Sequence, residues 1–153
     1  MTHSVVISGT GLWTPEQSIT NDELVASFNE YVDRYNRQHA AAIEAGEMEA
    51  LTPSNSAFIE KASGIKQRFV LDKEGILDPD RLCPTIPERA DDELSVQAEI
   101  AVKAARQALD NAGLTADDLD AVLVACSNMQ RPYPAMAVEV QEALGMGHGW
   151  GYD

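Results

Sequence analysis

Residues 94–125 set a helical period beside an unbroken apolar run, and that succession constrains the fold more than any other feature. Val96, Ile100, Ala104 and Ala108, with Val102, Ala105 and Leu109, recur at helical spacing from Leu94 to Ala112. Gly113 stands where a left-handed C-cap belongs. Thr115 then caps a single helical turn over Asp117 and Asp118, whose carboxylates suit a helix N-terminus. Leu119 to Ala125 reads as a buried strand, and Pro134 to Leu144 as another helix. A strand between two helices predicts a largely parallel sheet in an α/β protein.

The first half is less regular. Val5, Val6 and Ile7 predict a buried strand over Ser4 to Ser8, ended by Gly9. After Pro15 a helix starts with Thr20 or Asn21 as N-cap and runs to about Tyr35. Residues 36–50 read as a second helix, broken near Gly46. A turn over Pro53 to Ser56 leads into a short helix, Ala57 to Ala62, closed by Gly64. Ile65 to Leu71 alternates in polarity and predicts a strand. Residues 72–92 hold Pro79, Pro84, Pro87 and many acids, which predicts a long surface loop.

Charge and cysteine usage exclude several classes. A net charge of −14 over 153 residues argues against binding nucleic acid or an anionic membrane, either of which needs a basic face. The longest apolar run, Ala121 to Cys126, is too short to span a bilayer. The N-terminus lacks the pattern of a secretory signal, so the expected location is the cytoplasm. Cys83 and Cys126 make no disulfide framework, and the scattered His3, His39 and His148 make no metal site.

Four stretches invite chemistry. "SGTG" after the first apolar run suggests a dinucleotide loop, but Thr14 and Pro15 stand where a third glycine and a helix start are needed. Tight exit from a strand accounts for Gly9 and Gly11. Cys126 closes an apolar strand with no basic neighbour nearer than Arg131, and reads as a core cysteine rather than a nucleophile. In "MQRPYPA", Pro132 and Pro134 fix Tyr133 between a strand end and a helix start, either lining a pocket or interface or packing on the surface. Phe58 and Arg68 bracket the "SGI" turn and offer a ring and a guanidinium to a ligand's aromatic and phosphate groups. By themselves they read as a core aromatic and a solvated arginine.

Taken in order, "VVISGTGLWTPEQSITNDEL", "IEKASGIKQRFV", "AEIAVKAARQALDNAGLTADDLDAVLVACS" and "RPYPAMAVEVQEALGM" resemble the N-terminal half of a beta-ketoacyl-ACP synthase III, within the thiolase-like superfamily. The resemblance covers most of the chain, with residues 36–56 and 72–92 longer than the family usually has. It implies a thiolase-like half, mostly parallel sheet layered with helices, and an acyltransferase that condenses acyl-CoA with malonyl-ACP. Other thiolase-like enzymes, such as a degradative thiolase or a polyketide-type synthase, and a non-catalytic partner chain are the alternatives.

By the family's pattern, "GWGYD" is the first half of a buried strand that leads to the nucleophilic cysteine beyond Asp153. No catalytic residue is then expected in this chain, and no cofactor or metal. Substrate contacts fall on four residues. Tyr133 matches an aromatic that closes the acyl pocket across a homodimer, and Ser127 lines the same pocket. Phe58 takes the place of an aromatic that stacks on the CoA adenine, and Arg68 stands among them as the guanidinium offered to a ligand's phosphate. Ala62 replaces an arginine that sandwiches the adenine. The implied partners are acyl-CoA, an acyl carrier protein and a complete copy of the chain.

Overall fold

Strand pairing separates two compact units, Pro15–Pro87 and Glu88–Asp153, the latter joined by the residues up to Thr14. The structure is a computed structural model describing residues 4–153.

The Pro15–Pro87 unit opens with a strand, β1 (Gln17–Thr20), where only a loop was expected. It pairs antiparallel with β2 (Gln67–Val70), Gln17 opposite Val70 and Thr20 opposite Gln67. A strand carrying one large apolar residue, Ile19, has no period long enough to read; its partner about fifty residues away defines it. Ile19 is fully buried, as is Val32 on α1 (Asn21–Gln38).

Thr20 ends β1 and caps α1. Its Oγ1 accepts from the Glu23 amide at 3.2 Å, and Glu23 Oε2 accepts from the Thr20 amide at 2.9 Å. Lys73 adds a 2.6 Å ion pair to Glu23. These donors, Lys73 first and then the Thr20 amide and hydroxyl, lower the Glu23 pKa from 4.5 to about 2. A carboxylate depressed on folding stabilises the fold above its unfolded pKa, and that contribution disappears as pH falls through the folded value. Unfolding of Glu23→Gln should therefore depend less on pH between 4.5 and about 2 than that of the parent. Parallel denaturation midpoints across that window measure the difference.

A short helix, α2 (Ala40–Glu44), follows α1, and the chain turns at Gly46 with φ +72°. α3 (Ser56–Ser63) is capped by Asn55, whose Oδ1 accepts from the Phe58 amide at 2.8 Å, and ends at left-handed Gly64. The expected loop over 72–92 contains a helix, α4 (Lys73–Leu77). Asp72 makes it possible: its carboxylate accepts from the amides of Gly75 (3.0 Å) and Thr85 (2.6 Å), which holds its pKa below the usual carboxylate range.

In the other unit, α5 (Val96–Ala112) is capped by Ser95 and ends at left-handed Gly113. Ala98 and Val102 of α5 pack with Met136 and Val140 of α6 (Met136–Leu144), and Leu94, Val122, Val124 and Leu144 close around them. One turn of 3₁₀ helix, Ala116–Asp118, has the Thr115 amide and hydroxyl both donating to Asp118 at 2.8 Å. β3 (Ala121–Leu123) pairs in parallel with β4 (Trp150–Tyr152), Ala121 opposite Trp150 and Leu123 opposite Tyr152. The architecture is mixed α/β, one strand pair parallel and one antiparallel.

Two expected strands differ from expectation. Ser4 to Ser8 forms none, and Val5, Val6 and Ile7 are exposed, because no neighbouring strand among the described residues supplies a ladder. The run from Leu119 to Ala125 shortens to β3, with Leu123 78% exposed. Parallel strands are buried when helices cover both faces. Here α6 lies behind Val122 and Gly151, while Leu123, Trp150 and Tyr152 face outward.

Residues 9–13 cross α5 at very short range. A Cβ on Gly9 would run into the carbonyl oxygen of Ala108, and one on Gly11 into that of Ala104. The Leu12 amide donates to Gln107 Oε1 at 2.5 Å, Asn111 Nδ2 donates to the Thr10 carbonyl at 2.8 Å, and Lys103 lies 4.5 Å over the Trp13 ring. The "SGTG" glycines thus serve close backbone packing and not a phosphate cradle.

Candidate functional site

The chain between β3 and α6, residues 124–135, emerges at the carboxyl ends of the parallel pair, the place where α/β sheets gather ligands. The Val124 amide donates to the Tyr152 carbonyl at 2.8 Å, and the segment then leaves the sheet. Ser127 and Tyr133 are both exposed here, the Tyr133 ring at 86%, and the Tyr133–Pro134 peptide is cis.

Three long-range contacts hold this loop, and local sequence reasoning finds none of them. Arg131 Nη1 donates to the Asp91 carbonyl at 2.8 Å and Nη2 to that of Glu93 at 3.0 Å. Gln130 Oε1 accepts from the Val96 amide at 3.0 Å, satisfying a free donor at the start of α5. The Asp153 carboxylate, just past β4, accepts from the amides of Met136 (2.8 Å) and Ala137 (2.6 Å) at the start of α6. The only local signal is that Arg131 is the one cation in the loop.

Asp153 thus does for α6 what an N-cap side chain does, from a distant strand, with its charge against the positive end of the helix. Asp153→Ala is expected to destabilise the protein by about 0.5–2 kcal/mol. Asp153→Asn, which keeps one acceptor, should recover part of the loss. Chemical denaturation of the three proteins measures the order.

Cys126 is exposed, with Sγ 3.2 Å from the Asn128 carbonyl. The core position expected for it fails because β3 stops at Leu123, three residues short of it. Cys83 is exposed as well. Among the described residues no group of three or more His, Cys, Asp or Glu side chains is placed to hold a metal ion.

Phe58 and Arg68 lie in the Pro15–Pro87 unit, so the four candidate residues fall into two pairs, one in each unit. Phe58 is 64% exposed on α3 and is no core aromatic. Its neighbour one turn on, Ala62, is exposed too. Arg68 is half-buried rather than solvated. Its Nη2 donates to Asn21 Oδ1 at 3.0 Å, and its Nη1 is buried without a partner among the described residues. Asn21, itself buried, also donates to the Ile65 carbonyl at 2.7 Å and draws the guanidinium inward.

No helix of the described residues is long and apolar enough to cross a membrane. No family model matches the sequence. The chain is 65% identical over 127 residues to beta-ketodecanoyl-[acyl-carrier-protein] synthase of Pseudomonas aeruginosa, which covers 83% of this chain and 36% of that protein. It is 34% identical over 148 residues to beta-ketoacyl-[acyl-carrier-protein] synthase III of Bartonella tribocorum, covering 97% of this chain and 32% of that one. The solved structure of 3-oxoacyl-(acyl carrier protein) synthase III from Pseudomonas aeruginosa superposes with a TM-score of 0.58 at 25% identity, over 97% of this chain and 32% of its own. The chain therefore spans about a third of the length of the relatives it matches. Over that third, sequence and fold are both similar to those of beta-ketoacyl-ACP synthase III proteins.

Proposed function

We propose that this sequence works as part of a condensing enzyme that joins an acyl primer, delivered by acyl-CoA, to malonyl-ACP. The observation that carries this reading is the 65% identity, over 83% of the chain, to a protein named for making a beta-ketodecanoyl group on acyl carrier protein. A cysteine thiolate takes the acyl group and releases CoA. The malonyl thioester loses carbon dioxide to leave an enolate. Its carbon attacks the acyl thioester and expels the thiolate, giving 3-ketoacyl-ACP in fatty-acid-type biosynthesis. A decanoyl product requires an octanoyl primer, one acetate unit shorter, so a medium-chain acyl-CoA is the proposed substrate.

In this reading the reacting cysteine falls outside these residues. In support, the Cys126 thiol faces the Asn128 carbonyl, which is no base to take its proton. Within the chain, Tyr133 and Ser127 contribute to the acyl pocket, Tyr133 reaching into the partner of a homodimer. The exposed Phe58 ring takes the CoA adenine, and Ala62 leaves the second face of that base without a cation. Arg68 meets a CoA phosphate only if its bond to Asn21 opens. The condensation itself calls on no cofactor, and its soluble substrates fit a cytoplasmic enzyme.

A full-length polypeptide carrying these residues should convert octanoyl-CoA and malonyl-ACP to 3-ketodecanoyl-ACP, read by mass spectrometry of the carrier protein. The 153-residue chain alone should give none. Failure of the full-length protein with every acyl-CoA primer would sink the reading. Product from the short chain would put the nucleophile inside it.

A further inference from the structure

The helices of the Pro15–Pro87 unit do not close on one another. Leu24, Val25 and Phe28 lie on one face of α1, and with Ser54, Ile59 of α3, Ile76 of α4 and Leu82 they line a pocket of about 330 Å³ that is partly open to solvent. This volume falls at the lower end of the range occupied by small-molecule pockets, roughly 300–1,000 Å³.

Polar pairs fix the walls, so the space is not a gap that a small shift would close. Asn29 bonds both the amide (2.8 Å) and the carbonyl (2.9 Å) of Ser54. Asn36 does the same for Leu51, each bond 2.9 Å. The Ser27 hydroxyl donates to the Leu77 carbonyl at 2.7 Å and ties α4 to α1. Asp72 gathers Gly75 and Thr85 on either side of Leu82.

The lining chemistry selects the occupant. Six of the seven lining residues are apolar, none is charged, and the Ser54 hydroxyl is the one polar side chain. A ligand that buried several polar groups there would leave them unpaired, at a cost in affinity. A methylene occupies about the volume of a water molecule, roughly 30 Å³. The cavity therefore holds a chain on the order of ten carbons. Ser54, Ile76 and Leu82 come from the two segments that the resemblance implies are longer than usual in the family.

We propose that this cavity is a binding site for the alkyl chain of a medium-chain fatty acid, with the carboxylate left at the mouth. The proposal uses only residues of the Pro15–Pro87 unit and is independent of the condensation reading.

The test is titration of the purified chain with saturated fatty acids from butanoate to tetradecanoate, followed through the methyl NMR signals of Ile59 and Ile76. Affinity is expected to rise roughly fourfold for each added methylene, as burial of that group implies. It should then level off near decanoate. Val25→Phe, which fills the cavity from α1, should weaken decanoate binding at least tenfold. Ile76→Phe does the same from the opposite wall should the first variant fail to fold. Tyr133→Ala should leave the titration unchanged. The proposal is overturned if no fatty acid saturates these signals. Affinity that keeps climbing to tetradecanoate, or that neither filling variant alters, overturns it equally. Self-association of the chain in place of fatty-acid binding would also overturn it, by assigning the cavity to a second copy.

Discussion

On the proposed function, Tyr133→Ala in a full-length polypeptide carrying these residues is expected to shift primer preference toward longer acyl-CoA chains. The loop offers Tyr133 in a single presentation: Arg131 and Gln130 bind it to residues 90–96, and Asp153 fixes the start of α6 behind it. Under the proposed function, a ring carried on so tethered a backbone would close the partner's acyl pocket at little entropic cost. Removing it opens about one side chain's volume, so a primer longer by a few methylenes gains relative to a shorter one. Hydrophobic pockets discriminate a methylene or so by about 1–3 kcal/mol, which sets the expected change in relative kcat/KM between neighbouring chain lengths. A primer-length series for both enzymes measures it. An unchanged profile, with both proteins folded, would reduce Tyr133 to loop packing.

The larger effect on stability belongs to Ile19. Ile19→Ala is expected to destabilise the Pro15–Pro87 unit by about 2–5 kcal/mol, the range for truncating a buried isoleucine. Ile19 is fully buried on a strand of only four residues, so the whole apolar contribution of β1 rests on it. Neighbouring Ser18 and Thr20 hold β1 to β2 through the backbone alone and cannot replace that burial. A total stability of about 5–15 kcal/mol is usual for a domain, so the loss is a large fraction. Urea denaturation followed by signals from this unit should show a lower midpoint. A midpoint within error of the parent would mean that the site collapses around the smaller side chain.

Helix ends were legible because their causes are local. Thr20 and Glu23 are three residues apart, and Gly64 and Gly113 need only their own left-handed backbone. Strands were less so, because a strand exists only with a partner. Val5-Val6-Ile7 has the stronger β composition and forms none, whereas Gln17–Thr20 has a weaker one and pairs with β2. Exposure failed for the same reason. Cys126 and Phe58 carry the character of core residues, and what decides their burial is the number of layers stacked on them. In the candidate site, the two prolines around Tyr133 marked the loop. The residues that hold it, Arg131, Gln130 and Asp153, bond to partners 16 to 40 positions away, beyond any local pattern.

The crossing of residues 9–13 over α5 bears on how such sequences can diverge. At Gly9 and Gly11 the obstacle to a side chain is the carbonyl oxygen of the helix itself, and every residue at 104 or 108 carries one. No trimming of Ala104 or Ala108 makes room, so no compensating substitution exists. Among sequences that keep this crossing, both glycines should stay invariant and yet lack any covarying partner. Their signature in an alignment would be indistinguishable from that of a ligand-binding motif, although what they accommodate is a helix backbone.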